Sequence, residues 1–363
     1  MFRPKTFHFQ WHITDKCNLR CKHCYIDPGS LQQDLSFLDL TKILNKYLKQ
    51  IKKWKIPKER NRISFTGGEP FLRDDFFELL QKCYENREIV RCDILTNGTL
   101  LNKRVVKKLR KLKIRFVQVS LEGTKKTNDY IRGKGTFEKI TKGIRLLREQ
   151  KILTGISMTV TKKNIQDVPA MVALANNLDV NYLSLRQIIP TGRGEQMKEF
   201  LLSIKEVRGL FLYILEAQKN SKTNINAGCE DGILAQEGNY LPEGCSAGSA
   251  GFAILPNGDV YPCRRLPIFS GNLLKQSFEE IYYDSKVFQE LRNINNANDV
   301  CHACPYFNEC HGGAKCINYS YFGDSFAPSP HCWRLFDTLP KSNLKWKTSK
   351  RKEKLDLKWI FKK

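Results

Sequence analysis

Cys17, Cys21 and Cys24 lie within the stretch Thr14 to Tyr25, separated by three and then two residues. Thiolate is the soft ligand that iron–sulfur clusters require. A short loop with this spacing can fold three thiolates around one face of an iron–sulfur cube. Only three ligands are supplied locally, so one iron is left open to a substrate or cofactor. Zinc is the alternative, but zinc motifs usually pair two cysteines with two more of similar spacing, and no fourth ligand lies nearby. Cysteines return at Cys245 and Cys263, then at Cys301, Cys304, Cys310, Cys316 and Cys332, with Cys229 just ahead of them. This is again dense metal-site spacing, and beside a cluster loop it reads as iron–sulfur more readily than as zinc. Asn257-Gly258 between apolar runs is a hairpin turn that would bring Cys263 back toward Cys245. Cys83 and Cys92 stand alone and read as small apolar packing residues.

The elements that must position these residues follow from periodicity. Phe7, Phe9, Trp11 and Ile13 alternate with polar residues, which predicts a strand running directly into the first cysteine loop. A helix follows at about 37–53, with Leu38, Leu40, Ile43, Leu44, Tyr47, Leu48 and Ile51 at helical spacing. Strands at about 62–66, 90–96, 114–121, 153–160 and 180–187 then alternate with helices at about 74–86, 102–112, 136–150, 167–177 and 203–219. Six strands separated by helices predict parallel βαβ units. The pattern fits an open sheet or a partial barrel. In barrels of this kind chemistry gathers at the C-terminal strand ends, and the unusual turns of this chain fall there: Gly67-Gly68-Glu69-Pro70, Asn97-Gly98-Thr99, Ser120-Leu121-Glu122-Gly123 and Pro190-Thr191-Gly192-Arg193-Gly194.

The three-cysteine loop and the turns after it resemble those of radical S-adenosylmethionine (SAM) enzymes. The resemblance covers about residues 8–335 and implies an α/β fold, a partial (β/α)6 TIM-type barrel. It implies that the open iron chelates the amino and carboxylate groups of SAM, and that reductive cleavage releases a 5′-deoxyadenosyl radical that abstracts a substrate hydrogen. By position, Gly67, Gly68 and Glu69 match the turn that holds the methionyl amine, Ser120 and Arg132 match residues touching SAM, and Ile189 matches a position against the adenine. His23 stands where relatives usually carry an aromatic residue before the third cysteine. The second cysteine field resembles the SPASM extension, which binds up to two auxiliary [4Fe–4S] clusters. The resemblance would assign Cys301, Cys304, Cys310 and Cys332 to an outer cluster, and Cys245 and Cys263 to an inner one. The inner cluster's later ligand normally falls at Ala314. Cys316 is the nearest substitute, and Cys229 could complete the set unless the site is open to substrate. The expected organisation is a barrel over 1–225, a small cysteine-rich auxiliary-cluster domain over 226–340 and a basic tail over 341–363.

The chain has 363 residues, 61 Lys and Arg against 37 Asp and Glu, and a net charge of +24. The basic residues are spread along the chain, which disfavours a nucleic-acid partner and fits solvated helix faces. No run reaches the roughly 18 apolar residues of a membrane span, and the N-terminus has no signal-peptide core. Thirteen clustered cysteines without an export signal fit metal ligation in a reducing, cytoplasmic compartment. The expected activity is hydrogen abstraction by a SAM-derived radical in peptide or protein maturation. A porphyrin or other small-molecule substrate is the alternative, and an iron–sulfur electron carrier or redox-sensing nucleic-acid binder is the non-enzyme alternative. A flavodoxin- or ferredoxin-type protein is the expected reductant. Sulfatase-maturing relatives carry an aspartate after the cysteine matching Cys263, whereas this chain has Arg264, which counts against that subtype. Peptide maturases often begin with a peptide-binding domain. This chain starts almost at its first strand, so a separate recognition protein or another substrate class is expected.

Overall fold

The computed structural model describes residues 3–26, 34–236 and 244–338. Its frame is six parallel strands, β1 (Phe7–His12), β2 (Asn61–Thr66), β3 (Arg91–Thr96), β4 (Phe116–Ser120), β5 (Leu153–Val160) and β6 (Tyr182–Gln187). Each pairs with the next in sequence. Parallel neighbours need long crossover connections, and helices α1 (Phe37–Trp54), α2 (Phe76–Glu85), α3 (Lys103–Lys111), α4 (Lys125–Arg132), α5 (Thr136–Glu149) and α6 (Val168–Asn177) occupy them. Helix α7 (Ile204–Asn220) leads to a short seventh parallel strand, β7 (Asn224–Asn226), beside β6.

Local chemistry sets the element ends. Ser36 caps α1 by accepting from the Asp39 N–H, and Lys55 closes it in the left-handed region at φ 52°. Between these caps Leu40, Ile43, Leu44, Tyr47 and Ile51 recur on one buried face. Helix α4 escapes the periodicity argument because its sequence, KKTNDYIR, has almost no apolar stripe. It is held by Asp129, whose carboxylate accepts from the Gly135 and Phe137 N–H groups, and it delivers Arg132 to the strand ends.

The sheet continues past residue 225. Strand β8 (Gly251–Ile254) pairs in parallel with the free edge of β1, and β9 (Asp259–Tyr261) and β10 (Gly271–Asn272) follow antiparallel. The ten strands run β10-β9-β8-β1-β2-β3-β4-β5-β6-β7. An aromatic cluster welds this junction: Phe7 meets Phe252 edge-on at 5.3 Å, and Trp54 lies 4.7 Å from Tyr282. Such pairs contribute about 0.5–1.5 kcal/mol each beyond the area they bury. One core cluster accordingly includes Phe7, Phe65, Phe252, Phe288 and Trp333. The cysteine-rich region is thus docked on the barrel wall by backbone pairing and shared core. Among the described residues no helix is long and apolar enough to cross a membrane.

Candidate active site

The first cysteine loop leaves β1 and lies across the C-terminal strand ends. Thr14 Oγ1 donates to Asp34 at 2.6 Å, anchoring the start of the loop. The Gly67-Gly68 turn is pinned directly beneath it: Gly68 N donates to Thr14 O and Glu69 N to Lys16 O, both at 2.8 Å. A Cβ on Gly67 would lie 2.2 Å from Thr14 O, and one on Gly68 2.2 Å from Lys16 O. Side chains are sterically impossible at both positions without moving the cysteine loop. The paired glycines therefore serve loop-on-loop packing as well as any approach of backbone to a cofactor.

Cys17, Cys21 and Cys24 open on one cavity, with Gly67, Gly68 and Ser120 on its wall. Counted out to open solvent it measures about 1130 Å³. The donor set fits a cluster. Leu19 N points at Cys17 Sγ at 3.5 Å and Arg132 Nη1 at Cys21 Sγ at 3.7 Å. Burial pushes the Cys17 and Cys21 thiols up, so free thiolate is disfavoured there and a bound metal must replace the proton. Among the described residues no three His, Cys, Asp or Glu side chains are grouped for a single metal ion.

Glu69 is fully buried, at 0% exposure, and does not line the cavity. Thr96 Oγ1 donates to its two oxygens at 2.8 and 2.9 Å, and Asn97 N donates to one at 2.8 Å. The carboxylate ties β2 to β3, while Asn97 Nδ2 reaches on to Asn18 at 2.9 Å. Burial raises its pKa to about 7 against the pull of these hydrogen bonds.

Opposite this turn sits a network in which His23 and Arg132, both expected near SAM, meet Glu122, a residue to which sequence reasoning gave no role. Glu122, 1% exposed, accepts from Arg132 Nε at 3.1 Å and from Thr159 N at 2.6 Å, and lies 3.2 Å from His23 Nε2. Burial pushes the Glu122 carboxyl up, but Arg132 and His23 outweigh it and hold it at about 2. Arg132 is therefore already paired, with one edge turned to Cys21. The signal in the chain was the turn Ser120-Leu121-Glu122-Gly123 followed by Arg132, which placed Glu122 at a strand end without naming its partners. Ile189 lines the cavity and also packs on Leu266, Ala314, Cys316 and Ile317, linking the barrel mouth to the second cysteine field.

That field holds two groups. Cys301, Cys304, Cys310 and Cys332 repel one another electrostatically, and burial with that repulsion pushes Cys301 to about 12 and Cys310 to about 11. Cys245 sits beside Cys263 and receives the Ala247 and Lys315 N–H groups. Cys316, on α8 (Lys315–Phe322), shares a small apolar cluster with Cys263. Lys315, 9% exposed, lies between the two groups within electrostatic reach of Cys245, Cys301 and Cys310. The Cys229 side chain lies outside the described residues. Cys83 and Cys92 are buried against each other in the main core.

Comparison with known proteins agrees with this geometry. The model of the radical SAM superfamily matches residues 11–175, and that of an iron–sulfur cluster-binding domain, SPASM, matches 245–305. The AdoMet-dependent heme synthase of Methanosarcina barkeri is 29% identical over 349 residues, covering 89% of this chain and 95% of that protein. The mycofactocin maturase MftC of Mycolicibacterium smegmatis is 28% identical over 333 residues, covering 89% and 81%. The SAM-bound structure of Streptococcus suis SuiB superposes with a TM-score of 0.72 at 19% identity, covering 90% of this chain and 77% of that one, a likeness of fold. With three thiols, a glycine turn and a buried Glu–Arg pair around one cavity, the chain belongs to the radical SAM superfamily and is an enzyme that uses SAM and [4Fe–4S] clusters, with a SPASM domain behind its barrel.

Proposed function

We propose that this enzyme abstracts a hydrogen atom from a peptide or protein side chain inserted between the Cys17–Cys24 loop and the Cys245–Cys263 region. The observation that carries this reading is the junction at Ile189 and Tyr25. Ile189 joins the cavity to the Cys316 cluster, and Tyr25 lies within electrostatic reach of both Cys24 and Cys263. A side chain entering the cavity would meet Cys17, Cys21 and Cys24 directly, with the second cysteine field next beyond Ile189 and Tyr25.

Cys17, Cys21 and Cys24 would hold the catalytic cluster. Cys301, Cys304, Cys310 and Cys332 would hold the outer auxiliary cluster, and Cys245, Cys263 and Cys316, with Cys229, the inner one. When bound, the catalytic cluster supplies the electron that splits SAM into methionine and the 5′-deoxyadenosyl radical. The Gly67 and Gly68 backbone would receive the methionyl amine, leaving Glu69 to brace the turn from below. Ser120 and the Cys21-facing edge of Arg132 would meet the SAM carboxylate, and Ile189 the adenine. Glu122 holds His23 and Arg132 in place. A cytoplasmic, reducing setting and a flavodoxin- or ferredoxin-type electron donor complete the proposal, with a separate recognition protein for a peptide leader.

A second reading, a porphyrin substrate, is favoured by the heme synthase similarity, which spans 95% of that protein. One experiment tests both. Reduced, cluster-loaded protein with SAM is given either precursor peptides encoded beside its gene or iron coproporphyrin III, and products are read by mass. A mass change confined to a peptide supports the first reading, and one confined to the porphyrin replaces it with the second. The Cys17→Ala/Cys21→Ala/Cys24→Ala variant should form no 5′-deoxyadenosine. Formation of 5′-deoxyadenosine by that variant would refute the assignment of the catalytic cluster.

A further inference from the structure

The wall of the cavity carries five arginines, Arg132, Arg186, Arg193, Arg264 and Arg265, against two carboxylates, Asp15 and Glu122. Two of the arginines have carboxylate partners, and a third is tied to the backbone of the cysteine loop. Arg132 is paired with Glu122. Arg265 is paired with Glu230, and its Nη2 donates to Gln187 O at 3.0 Å. Arg193 Nε donates to Cys21 O at 3.2 Å and so belongs to the cysteine loop.

Arg186 and Arg264 differ. Among the described residues no carboxylate pairs with either. Arg186 stands near the C-terminal end of β6, and its Nε is buried without a hydrogen-bond partner. Its guanidinium is pressed against Gly228, where a Cβ would come within 2.9 Å of it. Arg264 stacks on the Tyr25 ring at 4.3 Å and donates to the Tyr25 hydroxyl. A phenol hydroxyl supplies no fixed counter-charge. The nearby histidines bring none of either sign. Burial, reinforced by Arg264, lowers His12 to about 3 and likewise depresses His8, which senses both Arg186 and Arg264. Two guanidiniums thus face a partly desolvated space with no carboxylate partner among the described residues. Charge held in such a place calls for an anionic complement. SAM is a poor candidate for it, because its single carboxylate is directed at the open iron and its sulfonium is itself cationic.

We propose that Arg186 and Arg264 form a carboxylate-binding subsite that positions the substrate, which therefore presents an acid group inside the barrel mouth. This rests on the reading of the cavity as the site of hydrogen abstraction. The planar fork of arginine is matched to bidentate carboxylate recognition. The acid group comes either from an Asp or Glu side chain of a peptide or from a propionate of a porphyrin.

The test is titration calorimetry on anaerobic, cluster-loaded protein with SAM present, using matched pairs of probes. One pair is a Glu- and Asp-containing peptide and its Gln and Asn counterpart. The other is iron coproporphyrin III and its tetramethyl ester. In one pair the acid should bind about tenfold or more tighter than its neutral partner, and that pair identifies the source of the carboxylate. Arg186→Gln and Arg264→Gln should each erase most of that preference, and Arg264→Lys should restore part of it. The assignment falls if neither acid binds better than its neutral partner, or if the variants keep the preference. It falls equally if SAM affinity drops by the same factor as acid affinity, because the guanidiniums would then serve the cofactor. Failure of the wild-type protein to form 5′-deoxyadenosine from SAM would instead refute the hydrogen-abstraction reading, whatever the probes do.

Discussion

Glu122→Gln keeps the shape of a buried side chain and removes its charge, so it measures what that charge contributes beside Arg132 and His23. The folded protein holds this carboxyl from its usual 4.5 down to about 2. At 1.36 kcal/mol per pKa unit the difference is roughly 3 kcal/mol of stability at neutral pH. The general cost of stripping one partner from a buried ion pair, about 3–5 kcal/mol, agrees. Because the folded-state pKa is depressed, this contribution is complete above 4.5 and is lost as pH falls toward about 2. Glu122→Gln leaves the Arg132 guanidinium, 8% exposed, beside Cys21 without its counter-charge. For a chain of this length about 2 °C per kcal/mol is expected, hence a fall of roughly 6 °C in Tm. Arg132→Met alone should cost a similar amount, because it strands the carboxylate. The Glu122→Gln/Arg132→Met double variant, which buries no unpaired charge, should recover most of the loss, giving a coupling of roughly 2–3 kcal/mol. Tryptophan fluorescence in urea at neutral pH and thermal midpoints of anaerobic protein measure the cycle. Strictly additive single variants, or a Glu122→Gln midpoint within about 1 °C of wild type, would refute the argument.

Gly68→Ala should push the cysteine loop off the strand ends, because its Cβ would sit 2.2 Å from Lys16 O; iron analysis should show about four irons fewer per chain, and unchanged iron content would contradict the packing argument. Lys315→Met removes a buried cation between two cysteine groups and should move the auxiliary potentials negative by tens of millivolts, since about 1.4 kcal/mol corresponds to roughly 59 mV for one electron; an electron-paramagnetic-resonance redox titration that finds no shift would remove Lys315 from that role. Cys229→Ala should cost the inner group its cluster spectrum, whereas a retained spectrum that shifts on adding a cysteine-containing peptide would mean the inner iron is open to substrate.

Much of the site was legible because it is local. Three ligands on one loop are a property of contiguous chain, so the spacing of Cys17, Cys21 and Cys24 carried its meaning without tertiary structure. The alternation of strands and helices was equally readable, since apolar runs and stripes mark the strands and most of the helices: the strand expected at 90–96 is Arg91–Thr96, and the helix expected at 136–150 is Thr136–Glu149. Helix α4 was not readable, because its stability comes from Asp129 and its neighbours rather than from an apolar stripe.

Tertiary structure decided which partner each polar group found. Glu69 read from its motif as a cofactor ligand, but its carboxylate is surrounded by Thr96 and Asn97. The pairing of Glu122 with Arg132 and His23 joins three segments of the chain, and that of Arg265 with Glu230 joins residues 35 apart. The docking of β8 on β1 was hidden for the same reason, since a strand's pattern states that one of its faces is buried and says nothing of which edge it will meet. The cysteine spacings determined that this chain handles clusters. The charge of the cavity was set only when folding paired Arg132 and Arg265 with carboxylates, turned Arg193 to the Cys21 carbonyl and left Arg186 and Arg264 facing the cavity without a carboxylate, because pairing depends on distances that the linear order of residues does not contain.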